Sequence, residues 1–336
     1  FPTASALASS WDIELLQEIG VALGQTCVDE DVSVLLGPGM NIKRSPLCGR
    51  NFEYFSEDPL LNGQIAASLV NGIQSQGIGA CLKHFAVNNQ ELGRMYMDAI
   101  VDDRTLREIY LRGFEIAVKT AKPWTVMCAY NRLNGVYCSE HDWLLNQVLR
   151  NEWGFEGAVM TDWGAANDRP AGVKAGLDLE MPSSGGINDA LVAEAVKNGT
   201  LHEAELDQAI ARNLCLSLSS LNRQKPATPA DPNQHHTLAR KAAAQSCVLL
   251  KNTNSLLPLT PQTKVALIGA FAEKPRFQGA GSSQVRPTQV DTLRASLDEY
   301  VGEYLGEIDY AMGYDPVASH ANQTLIREAA VLAAQA

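Results

Sequence analysis

Five short apolar runs recur through the first 181 residues: Val32–Gly37, Gly79–Phe85, Trp124–Tyr130, Gly157–Trp163 and Gly176–Met181. Runs of this length, bounded by turn residues, mark strands buried on both faces of a parallel sheet. Helical patterns separate them. In "DDRTLREIYLRGFEIAVKTA", Leu106, Ile109, Tyr110, Gly113, Phe114 and Ala117 fall on one helical face. Ser139 with Asp142, and Thr200 with Glu203, have the spacing of capping boxes that open two more helices. Asn198-Gly199 has the form of a C-cap closing the helix before the second box. This alternation predicts βα units around a parallel sheet, either a barrel or a doubly wound fold.

In both folds functional residues gather at the carboxyl ends of the strands. Here those ends carry Lys83-His84, Tyr130-Asn131, Asp162-Trp163 and Glu180. The first run is followed by a 19-residue loop, 41–59, rich in charge and holding Phe52, Tyr54 and Phe55. Long loops within compact domains are usually functional or disordered, and the aromatics favour function. One rim thus collects cations, a carboxylate and aromatic faces. Glycoside hydrolysis needs a carboxylate to meet an oxocarbenium-like centre and an acid for the leaving group. Asp162 suits the first role, Trp163 offers a flat face for a sugar ring, and Arg50, Lys83 and His84 offer donors for hydroxyls.

Each of these residues also has a plainer reading. Asp162 can cap a helix, Arg50 can pair with Glu53 or Glu57, and His84 can be a satisfied core histidine. Met127 and Tyr130 can belong to the barrel core, and Glu180 reads as the partner of a nearby cation. "GAGSS" (279–283) follows a strand-like run but lacks the G-K-[ST] ending of a phosphate loop, which weighs against a nucleotide-binding protein.

Net charge is −11, which argues against nucleic acid or an anionic membrane surface and suits a neutral small molecule. No apolar run approaches the roughly 18–20 residues of a membrane span. Seven cysteines form no C-x-x-C pair and six histidines no H-x-x-x-H, so nothing calls for a metal or other cofactor. The cysteines sit mostly in apolar runs, which favours core thiols in a reducing compartment. "NRQKPATPADPNQ" reads as a polar linker. The reading therefore assigns 1–221 to a first domain, 222–235 to the linker and 236–336 to the start of a second α/β domain. In that second part, 235–252 reads as a helix running into a strand and "KVALIGAFA" as a further strand.

"GPGMNIKRSPLCGRNFEYFSEDP", "KHFAVNNQE", "RTLREIYLRGFEIAVK", "MCAYNRLNG", "LRNEWGFEGAVMTDWGA" and "AGLDLEMPS" together resemble the successive motifs of glycoside hydrolase family 3, nearest its β-glucosidase-type members. The resemblance implies a (β/α)8-like barrel followed by an α/β sandwich, here incomplete. It also implies a retaining, exo-acting hydrolase that releases terminal β-D-glucosyl residues through a covalent glycosyl-enzyme. The family's nucleophile lies in its S-D-W motif, which is Asp162 here, with Thr161 in place of serine. Arg50, Lys83 and His84 match its sugar-binding positions. Tyr130 and Met127 match its pocket lining, and Trp163 flanks the sugar. The same resemblance puts a sugar-gripping aspartate before Phe1 and the acid/base glutamate after Ala336, so both ends read as truncations. The histidine loop of the N-acetylglucosaminidase branch has no counterpart in "KHFAVNNQE". The alternatives within the family are a β-xylosidase or α-arabinofuranosidase; outside it, a silent sugar-binding protein.

Overall fold

Burial sorts the strand residues onto two faces, and the two faces meet different partners. In the computed structural model, which describes residues 1–222, 229–278, 281–299, 301 and 304–336, the chain divides into two units. These are Phe1–Cys247 and Val248–Ala336.

In the first unit the strands Val34–Leu35, Gly79–Phe85, Thr125–Cys128 and Ala158–Thr161 pair in chain order, every pair parallel. Leu179 joins beyond Met160 through a parallel bridge. Each new strand is added on the same side, so the order never reverses as it would in a doubly wound sheet. One face contributes Val34, Leu36, Cys81, Met127, Met160, Leu179 and Met181 to a single packed cluster. Side chains from successive strands stacked in one layer are the filling of a (β/α)8-type barrel. The other face, with Ala80, Leu82, Val126 and Val159, packs against the helices in the main core.

Helices Ile13–Asp29 and Pro59–Gln74 approach closely because two glycines face each other. A Cβ at Gly20 would lie 2.4 Å from the Leu69 carbonyl oxygen, and one at Gly72 2.3 Å from that of Gln17. The segment predicted as one amphipathic helix over 102–121 is interrupted. Its turn Leu106–Tyr110 is a π-helix in which the Leu111 N–H reaches back to the Leu106 carbonyl at 2.8 Å. The extra residue rotates the face, so Leu106, Leu111, Phe114, Ala117 and Val118 are buried while Ile109 is exposed.

Both capping expectations need correction. Ser139 lies in a 3₁₀ turn and its hydroxyl donates to the Ala165 carbonyl at 2.8 Å, and the following helix opens only at Trp143. The helix placed after Thr200 begins at Glu203 with His202 as its N-cap, and Glu205 accepts the His202 N–H at 2.9 Å. Asn198-Gly199 does close helix Ile187–Lys197, with Gly199 at φ +77°.

Of the expected linker, residues 223–228 lie outside the described residues. Its last part is helical: Asp231 caps helix Pro232–Gln245 by accepting the Asn233 N–H at 2.9 Å, with Pro232 in the first turn. This helix groups with the first unit, although the sequence reading opened the second domain at 236. Leu238 and Ala242 pack into the main core, and Lys241 pairs with Glu18 at 2.8 Å. Val248, Leu249 and Leu250, expected as a strand, are exposed and unpaired with any described strand.

The second unit has parallel strands Val265–Ile268 and Ile308–Ala311 in register, with Leu267, Ala272, Leu305 and Ile308 as its small core. Helix Gln323–Ala333 is capped by Asn322, which accepts the N–H groups of Thr324 and Leu325. Of the glycine-rich stretch 279–283, residues 279 and 280 lie outside the described residues. Among the described residues no helix is long and apolar enough to cross a membrane.

Candidate active site

Asp162 directly follows the strand Ala158–Thr161, in register with Met160 on the barrel-filling face. The strand is held from below. Asp178, fully buried, accepts the Val159 N–H at 2.7 Å and pairs with Arg150 at 2.6 Å and Arg212 at 3.1 Å. Above it, the Thr161 hydroxyl accepts the Met181 N–H at 2.8 Å and reaches the Met181 carbonyl at 3.1 Å. The threonine thus keeps a working hydroxyl where the resembling motif has serine.

The two carboxylate oxygens of Asp162 differ. Oδ1 accepts the Trp163 N–H at 2.8 Å. Oδ2 is buried without a hydrogen-bond donor and faces His84 Nε2 at 3.4 Å. His84 is the penultimate residue of the second strand and is only 1% exposed. Burial first, then the nearby cations Arg50, Lys83 and Arg94, hold its pKa well below the usual histidine range. The contact is therefore a neutral imidazole against a carboxylate, not an ion pair.

Tyr130 stands on the other side. Its hydroxyl donates to the Trp163 carbonyl at 2.9 Å. Burial and then the Asp162 carboxylate push its phenol up to about 12, so it stays a donor at neutral pH. The Arg94 guanidinium lies 4.6 Å from the Tyr130 ring centroid and pairs with Glu91 at 2.7 Å. A small sheet makes this meeting possible. Asp98–Ala99, after the second strand, pairs with Arg132–Leu133, after the third, so the loop that carries Arg94 is drawn over Tyr130.

The structure thus brings His84, Asp162, Tyr130 and Trp163 together, with the charges of Arg50 and Lys83 close enough to act on His84. Trp163 leaves half its surface exposed at the rim. Arg50 does pair with Glu53, as its plainer reading held, yet its side chain is only 18% exposed and its charge is felt at His84. Met127 lies in the packed layer beneath the carboxylate, 2% exposed. Glu180 is engaged by Asn188 at 2.6 Å and Arg169 at 4.0 Å, a structural role. Arg94 was missed in the sequence, because only pairing between two loops reveals where it points. The seven cysteines form no disulfide, and five of them are buried.

Residues 1–216 match the family model for the glycosyl hydrolase family 3 N terminal domain, and 247–336 match that of its C-terminal domain. The chain belongs to glycosyl hydrolase family 3. It is 55% identical over 98% of its length to Thermostable beta-glucosidase B of Acetivibrio thermocellus, covering 43% of that protein. It is 47% identical over 89% of its length to an Exo-alpha-(1->6)-L-arabinopyranosidase of Bifidobacterium longum, covering 41% of it. The solved beta-glucosidase 3B of Thermotoga neapolitana, in complex with alpha-D-glucose, superposes with a TM-score of 0.86 at 42% identity. That match takes in 100% of this chain and 46% of that one. The chain therefore spans less than half the length of the relatives it matches. Its architecture is the family's: a barrel-type N-terminal domain followed by an α/β sandwich domain.

Proposed function

We propose that this chain supplies the nucleophile and sugar-holding residues of a retaining, exo-acting β-glucosidase. The observation that carries the reading is the asymmetry of Asp162, with one oxygen tied to the Trp163 N–H and the other bare and turned toward His84. A carboxylate anchored on one oxygen and unshielded on the other is prepared for attack. A protein that only binds sugar gains nothing from a bare buried oxygen, which costs stability.

In this mechanism Asp162 Oδ2 attacks the anomeric carbon as the glycosidic bond breaks, and the leaving oxygen takes a proton from a second carboxyl group. That group then activates water, which releases the sugar with its configuration retained. In retaining enzymes the two carboxyls stand roughly 5–5.5 Å apart. The family resemblance supplies that second carboxyl as a glutamate of the second domain. Arg50, Lys83 and His84 hold ring hydroxyls, Trp163 lies against the sugar face, and Tyr130 fixes the peptide after the nucleophile. Such contacts accelerate the reaction to the extent that they strengthen as charge develops. No resident metal or cofactor takes part. Relatives named as beta-glucosidases, and the glucose held by the Thermotoga enzyme, support glucose as the sugar.

A second reading, a glycosidase acting on a pentose, is favoured by the arabinopyranosidase relatives. The test compares kcat/KM of the full-length protein on nitrophenyl β-D-glucoside, β-D-xyloside, α-L-arabinofuranoside and α-L-arabinopyranoside. The initial anomer is followed by proton NMR. The glucoside should be fastest and yield β-glucose first. A pentoside faster by tenfold would replace the substrate; an inverted product would remove Asp162 from the nucleophile role.

A further inference from the structure

We propose that Tyr54 is a positioning residue that fixes the tautomer of His84, so that the imidazole presents an N–H, rather than a lone pair, to the face of the pocket occupied by Asp162. The geometry of three contacts supports this. His84 Nδ1 lies 3.0 Å from the Tyr54 hydroxyl and 3.3 Å from Asn41 Oδ1, while Nε2 lies 3.4 Å from Asp162 Oδ2. A neutral imidazole carries one N–H, and which nitrogen holds it follows from the partners of the other.

Two arrangements are available. With the proton on Nδ1, that nitrogen would donate to Asn41 Oδ1, and the Nε2 lone pair would face a carboxylate oxygen. With the proton on Nε2, the Tyr54 hydroxyl donates to Nδ1 and the imidazole N–H faces Asp162. The second gives Nδ1 a donor and turns an N–H rather than a lone pair toward Asp162 Oδ2, at 3.4 Å and outside hydrogen-bond geometry, so that oxygen stays bare. Asn41 Oδ1 already accepts the His84 backbone N–H at 2.8 Å, and Asn41 Nδ2 donates to the His84 carbonyl at 2.8 Å. The Tyr54 oxygen receives Asn88 Nδ2 at 3.5 Å, so its own proton is available for His84. The remaining groups acting on His84 are the cations Arg50, Lys83 and Arg94, which together with burial keep the ring neutral.

Tyr54 is itself locked in place. It is fully buried, and its ring lies edge-on to His84 with centroids 6.0 Å apart. The approach requires glycine at 39, where a Cβ would sit 3.1 Å from two carbons of the Tyr54 ring. The residue arrives from the long loop 41–59, so that loop contributes to the pocket from behind as well as through Arg50.

Tyr54→Phe removes only the hydroxyl. Asn41 Oδ1 is then the remaining partner of Nδ1, the proton moves there, and Nε2 turns into an acceptor. A donor lost toward the substrate costs about 10- to 100-fold in rate. Its effect falls on kcat to the extent that the contact tightens in the transition state. The catalytic consequence rests on the function proposed above; the tautomer does not.

The test uses the full-length protein labelled with ¹⁵N-histidine, with long-range ¹H–¹⁵N spectra assigned for His84 by comparison with His84→Gln. The wild type should show a neutral His84 with its proton on Nε2 at neutral pH. Tyr54→Phe should show the proton on Nδ1, with kcat reduced at least about tenfold and Tm held within a few degrees. A wild-type proton on Nδ1, or a charged ring, would overturn the proposal without any variant. So would an unchanged tautomer in a folded Tyr54→Phe protein, even if activity fell. A protein that hydrolyses no glucoside would sink the functional reading, yet the spectra would still decide the tautomer.

Discussion

At Asp162 stability and chemistry pull in opposite directions. A buried carboxylate oxygen without a donor costs free energy, and it is retained where reactivity demands it. Asp162→Asn should therefore lower kcat on a β-glucoside by about 10³-fold or more, while Tm stays level or rises. Steady-state kinetics beside calorimetry check both halves, and a clear fall in Tm would show the carboxylate to be a structural element. His84 links the site to pH. Its pKa is depressed by burial and by neighbouring cations, so the unfolded chain binds its proton more readily. Stability from this group is thus complete above the ordinary histidine pKa of about 6.5 and is lost as pH falls below it. His84→Gln should flatten the loss of stability below pH about 6.5 by up to about 1.4 kcal/mol per pH unit, read from urea unfolding at several pH values. A slope unchanged by the substitution would mean that His84 is not buried neutral. The positions of Lys83, His84, Tyr130, Asp162 and Trp163 were legible in the sequence because each stands in the last residues of an apolar run, where parallel folds place their chemistry. Arg94 and the contact of Tyr54 with His84 were not, since both reach the site through loops whose course only tertiary pairing sets.

The strand that delivers Asp162 depends on Asp178. That carboxylate is buried, accepts a strand N–H, and balances two arginines from separate helices. Asp178→Ala should cost about 3–5 kcal/mol, because both guanidinium groups lose their counter-charge while Arg150 stays buried. Chemical denaturation measures this directly; a loss below about 1 kcal/mol would show that solvent compensates the arginines. The parallel strands were readable because apolar runs of strand length are hard to mistake once helical patterns alternate with them. Their ends were overdrawn: the run 124–130 is a strand only over Thr125–Cys128. The π-turn at Leu106–Tyr110 left no mark in the helical periodicity. It adds one residue and shifts the buried face by that much, so Leu111 takes the place expected for Tyr110. The caps slipped for a related reason. Serine and threonine make many local hydrogen bonds, and Ser139 spends its hydroxyl on the Ala165 carbonyl.

For the whole chain, a net charge of −11, with three cations gathered near His84, fits the proposed neutral sugar, held by hydrogen bonds and not steered by charge. Turnover of a neutral glucoside should therefore change less than about twofold between roughly 20 and 200 mM salt; a steep salt dependence would point to an anionic substrate. Two compact units, each with its own small or large core, carry the chain's two family matches, and all the site residues described here come from the first. The central claim is that Asp162 becomes covalently linked to the sugar. The most direct measurement incubates the full-length protein with a 2-deoxy-2-fluoro-β-glucoside bearing a good leaving group, which lets the first step proceed and slows the second. Peptide mass mapping should then find one fluoroglucosyl group, on the peptide containing Asp162. A label on Glu57 or Glu180, or rapid turnover of an unactivated glucoside by Asp162→Asn, would contradict the account.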